Sequence, residues 1–347
     1  MTNFTNRTAA PPPVDGILDA IGTTPLVRMR NLFGPAAPPV YAKLEALNPG
    51  GSAKDRPAVR MLADALVSGE LRAGGAVVES TSGNLGVGLA QACAGLGLRL
   101  VCVVDPRISA RNLRTLRAMG ARVEMVTEPD PASGDLLVAR LTRVAELVRS
   151  IPGAYWPNQY ANPSNAAATG DGTMREIAEA LDGDVGTMLV ATSTTGTLVG
   201  CADRIRAEGL DTHLVAVDAV GSALFGGVRG PRLLPGFGAG VETPLSLAAH
   251  HDRLVRVSDL DCVVGCRRMA AREGYLPGAS GGGVVSALAS ILDEVDDRPC
   301  VMLLADGGAS YLETAYDDAW VEAELGVTPA ELAERVRADL MVEGRAG

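Results

Sequence analysis

The stretch "AVVESTSGNLGVGLAQACAGLGLRLVCVV", residues 76–104, decides the fold. An aliphatic run (76–80) meets a knot of small polar residues and glycines (80–86). An apolar segment closed by glycine follows (85–97), then a second aliphatic run (98–104). Short aliphatic runs bounded by turn formers read as buried strands. The segment between them reads as a helix stopped by glycine. Strand, helix and strand in so short a span make a βαβ unit, and such units build parallel sheets.

The same alternation extends both ways. Strands are expected at 40–47, 121–126, 186–192, 213–219 and 300–306. Helices are expected at 57–69, which opens with Pro57 and closes with Gly69, and at 110–120, where Ser109 can cap. Further helices are expected at 135–150, at about 197–208, and at 328–340, where Thr328 caps, a proline follows and an acid-rich turn comes next. The chain is therefore expected to be α/β, with mostly parallel sheets flanked by helices. Ligands of such sheets bind beyond the carboxyl ends of the strands. Functional residues belong in strand-to-helix loops.

Composition agrees and narrows the function. The 347 residues suffice for two domains sharing a large core. Hydrophobic content of 47% with only 3% aromatic means an aliphatic core, as in buried parallel sheets. A net charge of −10 with no basic stripe argues against nucleic acid. No uncharged apolar run reaches the ~20 residues of a membrane span, and nothing resembles a signal peptide. A cytoplasmic, reduced protein is expected. The six cysteines are scattered, several in apolar runs, and read as buried free thiols; Cys262 and Cys266 are four apart but lack partner ligands for a metal. The three histidines, His213, His250 and His251, show no metal spacing.

Three loops carry chemistry. In "NPGGSAKDR" (48–56), Lys54 stands just before a helix and behind two glycines that let another object approach the backbone. The positive end of a helix disfavours the ammonium form, leaving the neutral amine that makes Schiff bases. A surface lysine paired with Asp55 is the plain alternative. In "STSGNLG" (80–86), Ser80, Thr81, Ser82 and Asn84 offer donors at a helix N-terminus, a carboxylate- or phosphate-sized anion site. Asp105 follows about where a dinucleotide loop would want its acid, but Gly83, Gly86 and Gly88 are spaced G-x-x-G-x-G, not G-x-G-x-x-G. In "STTGT" (193–197), small residues at another helix start can cradle a phosphate; no Gly-Lys-Ser/Thr element makes it a nucleotide P-loop. An imine-forming lysine, a carboxylate cup and a phosphate cup share one explanation: pyridoxal 5′-phosphate and an amino-acid substrate.

On these motifs, with the later "GASGGG" and "GGASYLET", the chain resembles the fold-type II pyridoxal-phosphate enzymes of the cysteine synthase and cystathionine β-synthase family over about residues 15–320. The resemblance implies that Lys54 carries the cofactor and that Asn84 bonds its 3-hydroxyl. It implies that Ser193, Thr194, Thr195, Gly196 and Thr197 hold its phosphate, and that Thr81, Ser82 and Asn84 grip the substrate carboxylate. It also implies a homodimer. By the same resemblance 48–158 is a smaller domain with Lys54 and the Asn84 loop, and 14–47 plus 159–327 a larger one with the phosphate loop. The cofactor would lie in the cleft between them. Residues 1–13 read as a disordered arm and 328–347 as a terminal helix and tail.

Finer matches point to a subgroup. Leu85 stands where cysteine synthases carry threonine, and "CVVDPRIS", "YWPNQYAN" and "LPGFGAG" resemble enzymes of 2,3-diaminopropionate biosynthesis, which serve siderophores and peptide antibiotics. That resemblance implies β-replacement through a bound aminoacrylate, with O-phospho-L-serine as first substrate and L-glutamate as nucleophile. Such anions need local positive charge; Arg140 and Tyr160 are the candidates, with Ser193 serving twice and Arg107 and Arg111 behind them. Gly307 stands where many members place a serine against the pyridine nitrogen, so Ser280 is assigned that role, with Asp306 as the weaker candidate. The alternatives are a cysteine synthase and a catalytically idle binder of the same fold.

Overall fold

The computed structural model describes residues 12–338. Nearly all of the expected N-terminal arm, and the tail beyond 338, lie outside the described residues. Among the described residues nine strands form two sheets: β1 (Leu26–Arg28), β2 (Val40–Leu44), β3 (Ala76–Ser80), β4 (Arg99–Val104), β5 (Arg122–Met125), β6 (Thr187–Ala191), β7 (His213–Ala219), β8 (Arg253–Val257) and β9 (Cys300–Leu304). The larger sheet runs β1-β2-β9-β6-β7-β8 and the smaller β3-β4-β5. Every pairing is parallel except β1 with β2. The α/β class read from the βαβ unit is the observed one.

Both faces of the larger sheet are covered, which is why its strands read as unbroken aliphatic runs. Leu189, Val215, Val217, Met302 and Leu304 join one buried cluster; their neighbours Met188, Val190, Leu214, Ala216, Val301 and Leu303 join another on the opposite face. The period-two alternation of a strand thus sorts one run into two cores. The smaller sheet repeats this with Val77, Leu100, Cys102 and Val104 against Val78, Val101 and Val103. All six cysteines are free and buried. Among the described residues no helix is long and apolar enough to cross a membrane.

Chain order places the site. Strand β2 lies beside β9 in the larger sheet, register Val40 to Cys300, before the chain leaves to build the smaller sheet. The loop between them, 45–54, is stitched back to the segment after β9. The Ala53 N–H donates to the Ala305 carbonyl at 2.7 Å, and Ser52 bridges to Asp306. The strand expected at 40–47 ends at Leu44 because Glu45 turns inward, where Arg56 and Asn48 donate to its carboxylate.

Several elements carried no sequence expectation: β1, β8, and the helices Pro163–Ala168, Asp259–Glu273 and Ala279–Ile291. The last holds three consecutive glycines. They are needed because it packs against Asp259–Glu273 at backbone distance: a Cβ on Gly282 would lie 2.1 Å from the Cys262 carbonyl, and one on Gly265 1.9 Å from that of Gly282.

Candidate active site

A cavity of about 260 Å³ opens where the two sheets meet. Lys54 lies in its wall, at the residue preceding helix Asp55–Ser68. Burial holds its amine below the ordinary lysine range, against the opposing pull of Asp306 and Glu45. Asp55 is not its surface partner. That carboxylate is buried, accepts the Gly50 N–H at 2.5 Å, and is pushed up to about 6, mainly by burial. The packing behind Lys54 is close: a Cβ on Gly88 would come within 2.9 Å of the Lys54 carbonyl. The helix Asn84–Gly95 therefore fixes the backbone that presents the amine.

The loop after β3 supplies Ser80, Thr81, Ser82, Gly83 and Asn84 to the same wall. Asn84 is the first residue of its helix. Its Nδ2 donates to Asp306 Oδ2 at 2.8 Å, and Tyr311 donates to the same oxygen at 3.1 Å. Asp306 Oδ1 is buried with no hydrogen-bond partner. Burial raises the Asp306 carboxyl, opposed by Asn84, Tyr311 and the Lys54 charge. Asn112 donates to the Ser82 carbonyl at 3.0 Å and steadies the loop from the next helix.

Opposite stands the loop after β6. Ser193 and Thr194 line the cavity. Thr195 takes a left-handed conformation (φ 66°) that turns the chain into the thirteen-residue helix Gly196–Glu208. Gly196 is required there, since a Cβ would lie 2.6 Å from the Asn165 amide. Thr195, Gly196 and Thr197 are not part of the cavity wall itself; they form the turn behind it and the first turn of the helix. Free N–H groups and hydroxyls at such a helix start favour an anion.

The remaining wall is cationic. Arg140 is buried on helix Leu136–Ser150 and faces the cavity, so it is not a solvated helix residue. Its Nε lies 3.3 Å from Asp105 Oδ2, and Arg107 donates to the same carboxylate at 2.7 Å. Burial would raise Asp105, but Arg107 and Arg140 outweigh it and hold the carboxyl below its usual range. The acid that could have matched a dinucleotide loop thus orients two arginines. Tyr160 also lines the cavity; burial lifts its phenol above the usual range, and Arg140 opposes this.

The structure therefore brings together Lys54, Thr81, Ser82, Asn84, Arg107, Arg140, Tyr160, Ser193, Thr194, Ser280 and Asp306 around one cavity. Arg111 lies outside it on an exposed helix face, though it donates to Ser310, which lines the opening. Sequence reasoning missed Gln159, Tyr311 and the buried Glu79 beneath them. Gln159 Nε2 donates to the Ser80 carbonyl at 3.3 Å, and Asn165 donates to the Gln159 carbonyl at 2.7 Å. Gln159 sits beside the candidate Tyr160 in "NQY", and that adjacency was the available signal.

An amine whose charged form burial disfavours, a loop of small polar residues beside it and a hydroxyl-rich helix start across a small cavity match a fold-type II pyridoxal-phosphate site. The residues fit that cofactor. Lys54 has no ion pair among the described residues, and the donors of Ser193 and Thr194 face the same space. Residues 17–306 match the family described as "Pyridoxal-phosphate dependent enzyme". The chain is 45% identical over 307 residues to N-(2-amino-2-carboxyethyl)-L-glutamate synthase of Ralstonia nicotianae, covering 88% of this chain and 90% of that one. It is 42% identical over 311 residues to the enzyme of the same name from Cupriavidus metallidurans, covering 88% and 91%. Among solved structures it resembles the O-acetylserine dependent cystathionine β-synthase of Helicobacter pylori (TM-score 0.78, 28% identity, 87% of this chain and 98% of that one). It also resembles a hydrogen sulfide-producing enzyme of Fusobacterium nucleatum (TM-score 0.80, 29% identity, 87% and 99%). The chain belongs to the pyridoxal-phosphate dependent enzyme family, and its cofactor is pyridoxal 5′-phosphate.

Proposed function

We propose that the chain joins L-glutamate, through its α-amino nitrogen, to Cβ of O-phospho-L-serine, releasing phosphate and N-(2-amino-2-carboxyethyl)-L-glutamate. The observation that carries this is Arg140, buried and turned into the cavity wall with Tyr160 and Ser193 near it. A buried guanidinium facing a cavity suits a dianionic leaving group such as the phosphate of O-phosphoserine. The names of the two relatives support the same reading.

Pyridoxal 5′-phosphate, held by Lys54, Asn84, Ser280 and the 193–197 turn, supplies an aldehyde and an electron-withdrawing ring. The protein does the rest. Thr81, Ser82 and Asn84 bind the α-carboxylate of O-phosphoserine and fix its Cα–H toward Lys54. The Lys54 amine, whose charged form burial disfavours, takes that proton and later returns it. Arg140, Tyr160 and Ser193 receive the phosphate as the Cβ–O bond breaks. The glutamate nitrogen then forms the Cβ–N bond and gives up a proton. Closure of the 48–158 part over the larger part would keep water from competing.

The product is a precursor of 2,3-diaminopropionate, used for a siderophore or a peptide antibiotic, and the enzyme acts as a cytoplasmic homodimer. The decisive experiment mixes the holoenzyme with O-phosphoserine and glutamate and follows phosphate and product mass. Stoichiometric phosphate and N-(2-amino-2-carboxyethyl)-L-glutamate are expected. Turnover only with sulfide would instead make it a cysteine synthase.

A further inference from the structure

Beyond the residues assigned above, a segment that borders the cavity carries cations that the reaction so far does not use. The segment 228–241 follows β7 on the larger-sheet side, and its Pro235 and Gly236 line the cavity. Arg232 Nη1 donates to the Phe237 carbonyl at 3.0 Å, which folds the guanidinium back against this segment. Its Nε is buried without a hydrogen-bond partner. Arg229 lies alongside: a Cβ on Gly240 would be 3.8 Å from both Arg229 Nε and Arg232 Nη2. Arg232 also packs on Gly238, whose carbonyl accepts the Ser193 hydroxyl at 3.2 Å. The pair thus adjoins the wall that holds Ser193.

From the smaller-sheet side, Arg107 lies close enough for its charge to bear on Arg232. Arg229 reaches across to Asp135 at 2.7 Å. Four guanidinium groups, Arg107, Arg140, Arg229 and Arg232, are met by two carboxylates, Asp105 and Asp135. Arg232 has no carboxylate within ion-pair distance among the described residues. Asp218 and Asp259 favour its charge from further off, but Asp218 accepts from Thr192, and Asp259 from the Leu233 and Leu234 amides. A local cation excess on a chain of net charge −10 is a feature that needs an anion.

We propose that Arg232 and Arg229, with Arg107 near them on the smaller-sheet side, form the receptor for the side-chain carboxylate of the incoming amine substrate. This rests on the reading of that substrate as L-glutamate.

The test uses the holoenzyme, Arg232→Gln, Arg232→Lys and Arg229→Gln, with melting temperature as the check on folding. Arg229 is exposed, so its variant tests the receptor even if Arg232→Gln folds poorly. Glutarate, a dicarboxylate without an amine, is titrated calorimetrically. It should bind the wild type, weaken at least tenfold in Arg232→Gln, and recover in part in Arg232→Lys. In turnover, the KM for glutamate should rise at least tenfold in Arg232→Gln with kcat changed far less, and selectivity over glutamine should fall. Wild-type glutarate affinity and an unchanged glutamate-to-glutamine preference in the folded variants would overturn the receptor, as would failure of glutarate to bind the wild type. If glutarate binding behaves as expected but wild type forms no adduct with glutamate, the fault lies with the proposed reaction and not with the receptor.

Discussion

Asn84 and Asp306 meet through one hydrogen bond, Nδ2 to Oδ2 at 2.8 Å, that ties the loop after β3 to the segment after β9. The two residues come from different sheets. Both line the cavity with Lys54, whose charged form Asp306 favours and burial disfavours. Asp306 therefore sets how much of the amine is neutral at a given pH.

Asp306→Asn removes a negative charge beside a buried ammonium, so the Lys54 amine should lose its proton at lower pH. The readout is the pH dependence of pyridoxal 5′-phosphate uptake by apo-protein, followed by absorbance. Its acid limb should move to lower pH, by about one unit per 1.4 kcal/mol of lost attraction. An unmoved limb would mean that Asp306 does not act on Lys54.

The chain has only two lysines, Lys43 and Lys54, against 31 basic residues in all. Lys43 is buried and committed: its Nζ lies 2.6 Å from both the Thr24 carbonyl and Glu176. Borohydride treatment of the holoenzyme should put one reduced pyridoxyl group on the peptide containing Lys54 and none on that containing Lys43. Peptide mass mapping checks this, and Lys54→Ala should carry no label.

Much of this was legible in the sequence because the relevant physics is local. The Ser109 and Thr328 caps accept their helix amides as expected, and Ala76–Ser80 has the bounds read from its aliphatic run. Lys54, Asn84 and Ser193 stood out because small residues beside a helix start leave donors free. What stayed hidden depends on contacts distant in sequence. The helix Ala279–Ile291 carried no expectation, because its glycines make sense only through their close approach to Asp259–Glu273. Arg140 could not be separated from a solvated arginine, since only tertiary packing turns its helix face inward. Arg232 gave no signal at all, because its lack of a carboxylate partner among the described residues is a property of the folded chain.

Glu176 is the common acceptor of Lys43 and Arg56, at 2.6 Å to each. Burial would raise its carboxyl, but the Arg56 and Lys43 hydrogen bonds outweigh that and bring it down to about 2. The folded chain thus binds this proton more weakly than the unfolded chain. Its contribution is present above the ordinary carboxyl range and is lost as pH falls toward 2. Glu176→Gln leaves buried Lys43 without a carboxylate and Arg56 with Glu45 alone, and should cost about 3 kcal/mol at pH 7 in urea unfolding. The gap between variant and wild type should narrow at pH 3. A gap that is constant with pH would show that the ion pairs are not its source.

Glu79 behaves in the opposite sense. It is fully buried at the end of β3, where Ser80 and Trp156 donate to Oε1 at 2.8 and 3.1 Å, and the Gln159 amide to Oε2 at 3.2 Å. It therefore holds together the carboxylate loop and the 156–160 segment, including Asn158, whose φ of 48° is left-handed. Burial outweighs these donors and pushes the carboxyl up to about 7. The folded chain then binds the proton more tightly than the unfolded one. Stability from this group is full below the ordinary carboxyl range and is lost as pH rises through about 7. Asp55, raised to about 6, adds a loss in the same direction that ends earlier. In Glu79→Gln the decline between pH 6 and 7 should be absent while the part due to Asp55 remains, as read from urea midpoints across that range. The KM for O-phosphoserine should also rise more than kcat falls, because the variant loosens the loop that carries Thr81 and Ser82 without touching Lys54. A variant whose stability falls between pH 6 and 7 as steeply as wild type would show that Glu79 does not titrate there.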